Sequence, residues 1–227
     1  MKIRTLLACF LIFLVVNVTL AADEEGAQAL LSKVAYQDLE GLKELIAGGI
    51  DVNAQDATYG STALIAACTY GFTDIAKYLI SVGADVNIQN TMYGQTALFG
   101  AVYSSQELVE ILLANGADIH IRSKDGTTAF FNSISAVLGG NATTEVASLL
   151  LDRGADVNDS IEMEPGAGYT CLMMAARNAR PDLAEFLLSH GADINARAKD
   201  GSTALSLAMA ENDAQMVALL KANGAEE

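Results

Sequence analysis

Apolar and polar residues come in blocks along this chain, and the blocks return. Residues 60–87 show one of them. "ALIAACT" at 63–69 is short, almost wholly apolar and rich in alanine. Side chains this small let a neighbouring helix approach closely. Thr62 stands just before the run, where its hydroxyl can accept a bond from an otherwise unpaired N–H at a helix start. Gly71 breaks this first helix. Asp74 opens a second, its charge matching the positive end of the helix dipole. Glu107, Glu145 and Asp182 hold the equivalent positions. Ile75, Ala76, Leu79 and Ile80 then recur at the i, i+1, i+4, i+5 spacing of a buried helix face. Gly83 stops the helix in a left-handed conformation that other residues adopt only at a cost. "ADVNIQN" leads out as an extended loop.

The block is written several times. "LISVGADVNIQN" at 79–90 returns as "LLANGADIHIRS" at 112–123, "LLDRGADVNDSI" at 150–161 and "LLSHGADINARA" at 187–198, with a looser copy, "LIAGGIDVNAQD", at 45–56. The turn glycines are Gly49, Gly83, Gly116, Gly154, Gly191 and Gly224, at intervals of 34, 33, 38, 37 and 33. Between them a second phrase recurs: "STALIAA", "QTALFGA", "TTAFFNS", "YTCLMMA" and "STALSLA". A period near 33 marks a stacked-repeat protein. One helix pair cannot bury both of its apolar faces, whereas stacked pairs can. The expected fold is therefore an all-α repeat solenoid, a stack of helix pairs joined by extended hairpin loops.

The combined pattern, G-x-T-A-L-x-x-A followed by L-L-x-x-G-A-D-V-N, resembles the ankyrin repeat over residues 24–227. Six units follow, at about 24–55, 56–88, 89–121, 122–158, 159–196 and 197–227. The first lacks the T-A-L phrase and the last ends just after Gly224, so both read as caps. The family's T-P-L-H is altered throughout. Ala or Cys replaces the Pro, and Ile65, Phe99, Phe131, Met173 and Ser206 stand where the family has His. In the family that His ties neighbouring loops together. Its loss predicts inter-unit loops less firmly linked than usual, with apolar contacts doing more of the work. Two units carry insertions: "AVLGGNATTE" between the helices of the fourth, and "NDSIEMEPGAG" in the turn of the fifth. Lengthened loops of a regular array are a common place for function.

The first 22 residues follow another logic. Lys2 and Arg4 precede the unbroken apolar run Leu6–Val16, and Thr19 and Ala21 suit the small-residue positions of a cleavage site. This is the layout of a secretory signal peptide. The run is too short to cross a bilayer, which takes roughly 20 residues. The mature chain is expected to begin near residue 22 or 23, to contain no membrane span, and to be periplasmic or secreted. Two cysteines, Cys68 and Cys171, would remain, too few for a disulfide framework. That paucity and the one-domain plan fit a bacterial source. "NAT" at Asn141 and "NDS" at Asn158 match the glycosylation acceptor motif, which carries meaning only in a eukaryotic export route.

The whole chain carries a net charge of −15, and loss of residues 1–22 removes two bases and no acid. Such a surface repels nucleic acid and anionic membranes and suits a basic partner.

No catalytic constellation is legible. His120 lies in a turn and His190 at a helix end, Cys68 falls on a buried small-residue position, and the carboxylates are scattered. No metal-ligand spacing or cofactor motif is present. The resemblance implies instead a monomeric module that binds a protein partner on the concave face of the array, through hairpin tips and first-helix ends. The candidate binding residues are Tyr59, Met92 and Tyr93 at the tips, and Tyr70, Tyr103, Arg177 and Asn178 at the helix ends. Tyr59 and Tyr93 precede the same glycine in adjacent units, and tyrosine offers a large, stiff, amphipathic contact. A passive structural repeat protein without a tight partner is the alternative.

Overall fold

Twelve helices order the described residues, two between each pair of repeated turns. The computed structural model describes residues 24–140, 142–162 and 167–226. The expected signal peptide and Asn141 lie outside them. Helix α1 covers 24–35. It is followed by α2 (Leu39–Ala47), α3 (Ala63–Tyr70), α4 (Thr73–Ser81), α5 (Ala97–Ser104), α6 (Gln106–Ala114), α7 (Ala129–Leu138), α8 (Glu145–Asp152), α9 (Cys171–Arg177), α10 (Pro181–Ser189), α11 (Ala204–Ala210) and α12 (Ala214–Ala222). The odd-numbered helices pack on one another in sequence from α3 to α11, while α4, α6 and α8 form a second layer behind them, joined by the α10–α12 pair. Among the described residues the only bridge outside helices is the isolated antiparallel pair Ser160–Thr170.

Local chemistry explains the helix starts and stops. Thr62, Thr128, Thr170 and Thr203 each accept a bond from the backbone N–H three residues on, although Thr96 makes no such bond. Ala63, Ala67, Ala97, Ala101, Ala129, Ala175, Ala204 and Ala208 are buried, which lets the first-helix layer close up. At its tightest, a Cβ added to Gly100 would lie 2.5 Å from Thr69 Oγ1 and 2.9 Å from its Cα. In α4, Ile75, Ala76 and Leu79 are buried. Ile80, expected with them, is only half-buried against the edge of the core.

The loops that lack the family's His are bonded to one another in three ways. Adjacent hairpins are tied by backbone bonds: Met92 N–H to Tyr59 O at 3.0 Å, Lys124 N–H to Tyr93 O at 2.8 Å, and Lys199 N–H to Ala167 O at 3.0 Å. Side chains add a second set. Gln55 Nε2 donates to Gly60 O in its own hairpin (2.6 Å) and to Gln89 O in the next (3.0 Å). Gln89 Nε2 repeats this with Gly94 O (2.6 Å) and Arg122 O (2.9 Å). A third set starts from the asparagine of the turn phrase. Asn53, Asn87, Asn158 and Asn195 accept, through Oδ1, the N–H of Asp85, Asp118, Asp193 and Glu226, at 2.8, 2.8, 2.7 and 2.9 Å. The Asn and Gln that follow the turn glycine thus link successive units of this chain.

One rung is missing. His120 occupies the Asn position, and among the described residues no equivalent bond reaches Asp156 N–H. A different contact holds this layer. Arg122 donates to Asp159 Oδ1 at 2.5 Å and to Gly126 O at 2.6 Å, and the Thr128 hydroxyl donates to Asp159 Oδ2. The Asp159 side chain is only 3% exposed, whereas that of Arg122 is 41% exposed, so a buried carboxylate is met here by a guanidinium that still reaches solvent. Asn158 serves the ladder and Asp159 this clamp, so the triplet that matched an acceptor motif is a structural element here.

All six turn glycines have positive φ, from 85° to 98°. A Cβ on Gly83 would meet nothing within 4 Å, so the demand there is purely on the backbone. Gly83→Val is expected to lose about 2–3 kcal/mol in denaturant unfolding, because a β-branched residue resists positive φ, whereas Gly83→Asn should lose about 1 kcal/mol or less. An unchanged unfolding midpoint for the Val variant would contradict this account.

Candidate partner-binding surface

The hairpin tips are rigid because buried polar side chains organise them from below. Asp56 is buried, and Oδ1 accepts from Thr58 N–H and Tyr59 N–H, both at 2.8 Å, while Oδ2 accepts from Ser61 N–H at 2.7 Å. In the next unit buried Asn90 accepts from Tyr93 N–H at 2.8 Å and Gln95 N–H at 3.3 Å. Successive tips nearly touch: a Cβ on Gly60, where φ is 64°, would fall 2.3 Å from Thr91 Oγ1. The backbone under Tyr59, Met92 and Tyr93 is thus fixed while their side chains stay about half exposed.

The first-helix ends present a second row. Tyr70 and Tyr103 are exposed, Tyr70 stacking on Phe72 with ring centroids 5.7 Å apart. Partial burial, and Asp125 nearby, push the Tyr103 phenol above its usual range, so it stays a neutral hydrogen-bonding group. Sequence reasoning missed Tyr36, which is 83% exposed. The signal was present. Tyr36, Tyr70 and Tyr103 each stand 13 residues before a turn glycine, Gly49, Gly83 and Gly116. Between α1 and α3 lies a groove of about 510 Å³, flanked by Tyr36, Tyr59 and Tyr70, with hydroxyl and amide groups from Gln28, Ser32, Thr58, Ser61 and Thr69 in its walls.

Not all the expected residues meet there. Arg177 and Asn178 are exposed at the end of α9, but α7 stands between that helix and α5, which carries Tyr103. Asn178 Nδ2 is also engaged, donating to Met174 O at 2.8 Å. These two residues belong to a separate part of the surface.

The groups with chemical potential are quiet. Both remaining cysteines are buried and unpaired. Burial pushes the Cys68 thiol up to about 12 and raises Cys171 well above its usual value, so neither is a thiolate nucleophile at neutral pH. His190 caps α10, its Nδ1 2.8 Å from Phe186 O and its ring 4.4 Å from that of Phe186. His120 uses its backbone N–H on Asp118. Among the described residues no three His, Cys, Asp or Glu side chains gather to hold a metal, and no helix is long and apolar enough to cross a membrane.

Compared with models of known families, the chain matches the one described as Ankyrin repeats (3 copies), in overlapping stretches at 30–123, 107–198 and 134–227. A comparison with curated proteins gave no match.

Proposed function

This chain belongs to the ankyrin-repeat family, and from that premise we propose that it is a non-enzymatic protein–protein interaction module. Proteins built this way generally bind other proteins through the face lined by hairpin tips and first-helix ends. The observation that carries the reading is the concentration of aromatic residues on that face. Tyr36, Tyr59, Tyr70, Tyr93 and Tyr103 are all exposed and all in the first three units, and the Tyr59 and Tyr93 backbones are tied to the next hairpin. Large apolar side chains left in water at fixed spacing are what an interface needs, since rigid aromatics lose little entropy on binding. The net charge of −15 favours a basic protein over nucleic acid. The protein acts as a monomer in this reading.

We propose further that the protein is exported, to the periplasm or beyond the cell, with Leu6–Val16 as the directing segment. Intact mass of the exported protein is expected to lack residues 1–22. A mass that retains them would favour an uncleaved anchor.

The tip tyrosines offer the direct test of the binding role. Tyr59→Ala combined with Tyr93→Ala should weaken capture of the native partner by about 2 kcal/mol, the scale of a lost aromatic hot spot. The unfolding midpoint should stay within about 0.5 kcal/mol of the parent, because neither side chain fills the core. Undiminished capture would exclude the pair as the anchor and turn attention to the inserted segments at 136–145 and 158–168. A large stability loss would assign the tyrosines to their own hairpins.

A further inference from the structure

The phrase Ala-Asn-Gly-Ala occurs at 114–117 and again at 222–225, and each copy ends a second-layer helix, α6 or α12. An asparagine followed by glycine carries latent chemistry, because no side chain on the glycine obstructs its nitrogen. That nitrogen can form a bond to the asparagine Cγ. The Cγ–Nδ2 bond then breaks, and the glycine N–H proton leaves with the side-chain nitrogen as ammonia. The product is a five-membered succinimide. Water opens it at either carbonyl, leaving aspartate or its isomer isoaspartate, in which the main chain runs through the side chain.

The fold holds both sites shut. Asn115 and Asn223 sit at the helix ends with ψ of 20° and 8°. At such values the tetrahedral Cα keeps the side chain and the glycine nitrogen apart, whereas ring closure needs them eclipsed across the Cα–C bond. The side chains are tied down as well. Asn115 Nδ2 donates to Ile111 O at 2.8 Å and Asn223 Nδ2 to Leu219 O at 2.9 Å. The attacking groups are also engaged, Gly116 N–H on Leu113 O and Gly224 N–H on Lys221 O, both at 3.2 Å. Deamidation therefore waits for the turn to open.

The two turns do not open at equal cost. Helix α6 packs between α4 and α8. Asn87 of the preceding layer grips its turn at two points, donating to Gly116 O at 3.0 Å and accepting Asp118 N–H at 2.8 Å. Among the described residues α12 has a second-layer neighbour on one side, α10. Asn195 grips its turn in the same way, but its bond to Gly224 O is stretched to 3.4 Å, beside one of 2.9 Å from Glu226 N–H. Units of a stacked array are stabilised by their neighbours, so a helix covered on one side opens more readily than one covered on two.

We infer that Asn223 is a site of self-deamidation, gated by opening of the last repeated turn and restrained by Asn195, and that Asn115, in the same phrase, is protected. The conversion changes the turn. It puts a carboxylate at the C-terminal end of α12, where the helix dipole disfavours negative charge. Isoaspartate also adds a methylene to the backbone just before Gly224, whose φ is 95°.

The test follows the full chain at mildly alkaline pH by peptide mapping, with the amide-to-acid mass gain scored at each asparagine over time. In denaturing urea neither turn exists, and Asn115 and Asn223 should convert at the same rate. In the native protein Asn223 should convert at least about tenfold faster than Asn115, a difference of about 1.4 kcal/mol in the cost of opening. Asn195→Ala should speed native conversion at Asn223 at least about threefold, through the lost bonds, and leave Asn115 unchanged. Asn223→Gln cannot close a five-membered ring and should show no mass gain in that turn. Equal native rates at the two asparagines, or a difference already present in urea, would overturn the proposal. So would an Asn195→Ala protein in which Asn223 is no faster, or in which Asn115 accelerates equally.

Discussion

Four layers of this protein end in a turn whose asparagine reaches into the next layer, and the register of the array depends on that reach. Asn53, Asn87, Asn158 and Asn195 all accept a backbone N–H from the following turn, at 2.7–2.9 Å. The apolar faces behind them supply most of the energy. A fully buried leucine is worth about 1.5–3 kcal/mol, against about 0.5–1.5 kcal/mol for a hydrogen bond. Apolar contact is poorly directional, however, and would tolerate sliding between flat alanine-rich helices. The bonds between turns and between hairpins fix the register, and register keeps the exposed tyrosines in line.

The array is not uniform. At His120 the asparagine rung is lost, and Arg122 and Thr128, both bonded to the buried Asp159, link the layers instead. The lengthened α7 and the inserted turn of the fifth unit lie in the same neighbourhood. The tyrosine surface ends before this point, in the third unit. The first three units thus form a regular, aromatic-lined stretch, and the later ones a more irregular continuation.

Much of this was legible in the sequence, because the deciding forces are local or strictly periodic. Gly83 and its counterparts announced the helix stops, threonines the helix starts, alanines the close layer, and the exposed tip tyrosines their own positions. The inter-layer bonds were not legible. Asn87 and Gln89 reach backbone atoms of the next layer, 31 and 33 residues on, and no local rule relates a side chain to those partners. The loss of the family's His was visible, but the bonds that link these loops were not. Tyr36 was missed because its unit lacks the phrase used for alignment, although its distance from Gly49 gives the register. Asn178 shares a register with the tyrosine row, and Arg177 stands beside it, but both are in a later layer.

The most direct test of the register claim is to write the missing rung. The turn at His120 already has the geometry of its neighbours: its N–H donates to Asp118 Oδ1 at 2.8 Å, as that of Asn87 donates to Asp85 at 2.8 Å. Asparagine can therefore enter without rebuilding the loop. Equilibrium urea unfolding of His120→Asn should show a gain of about 1 kcal/mol over the parent, the value of one added hydrogen bond to Asp156 N–H. No gain, or a loss, would contradict the claim that these asparagines tie the layers together.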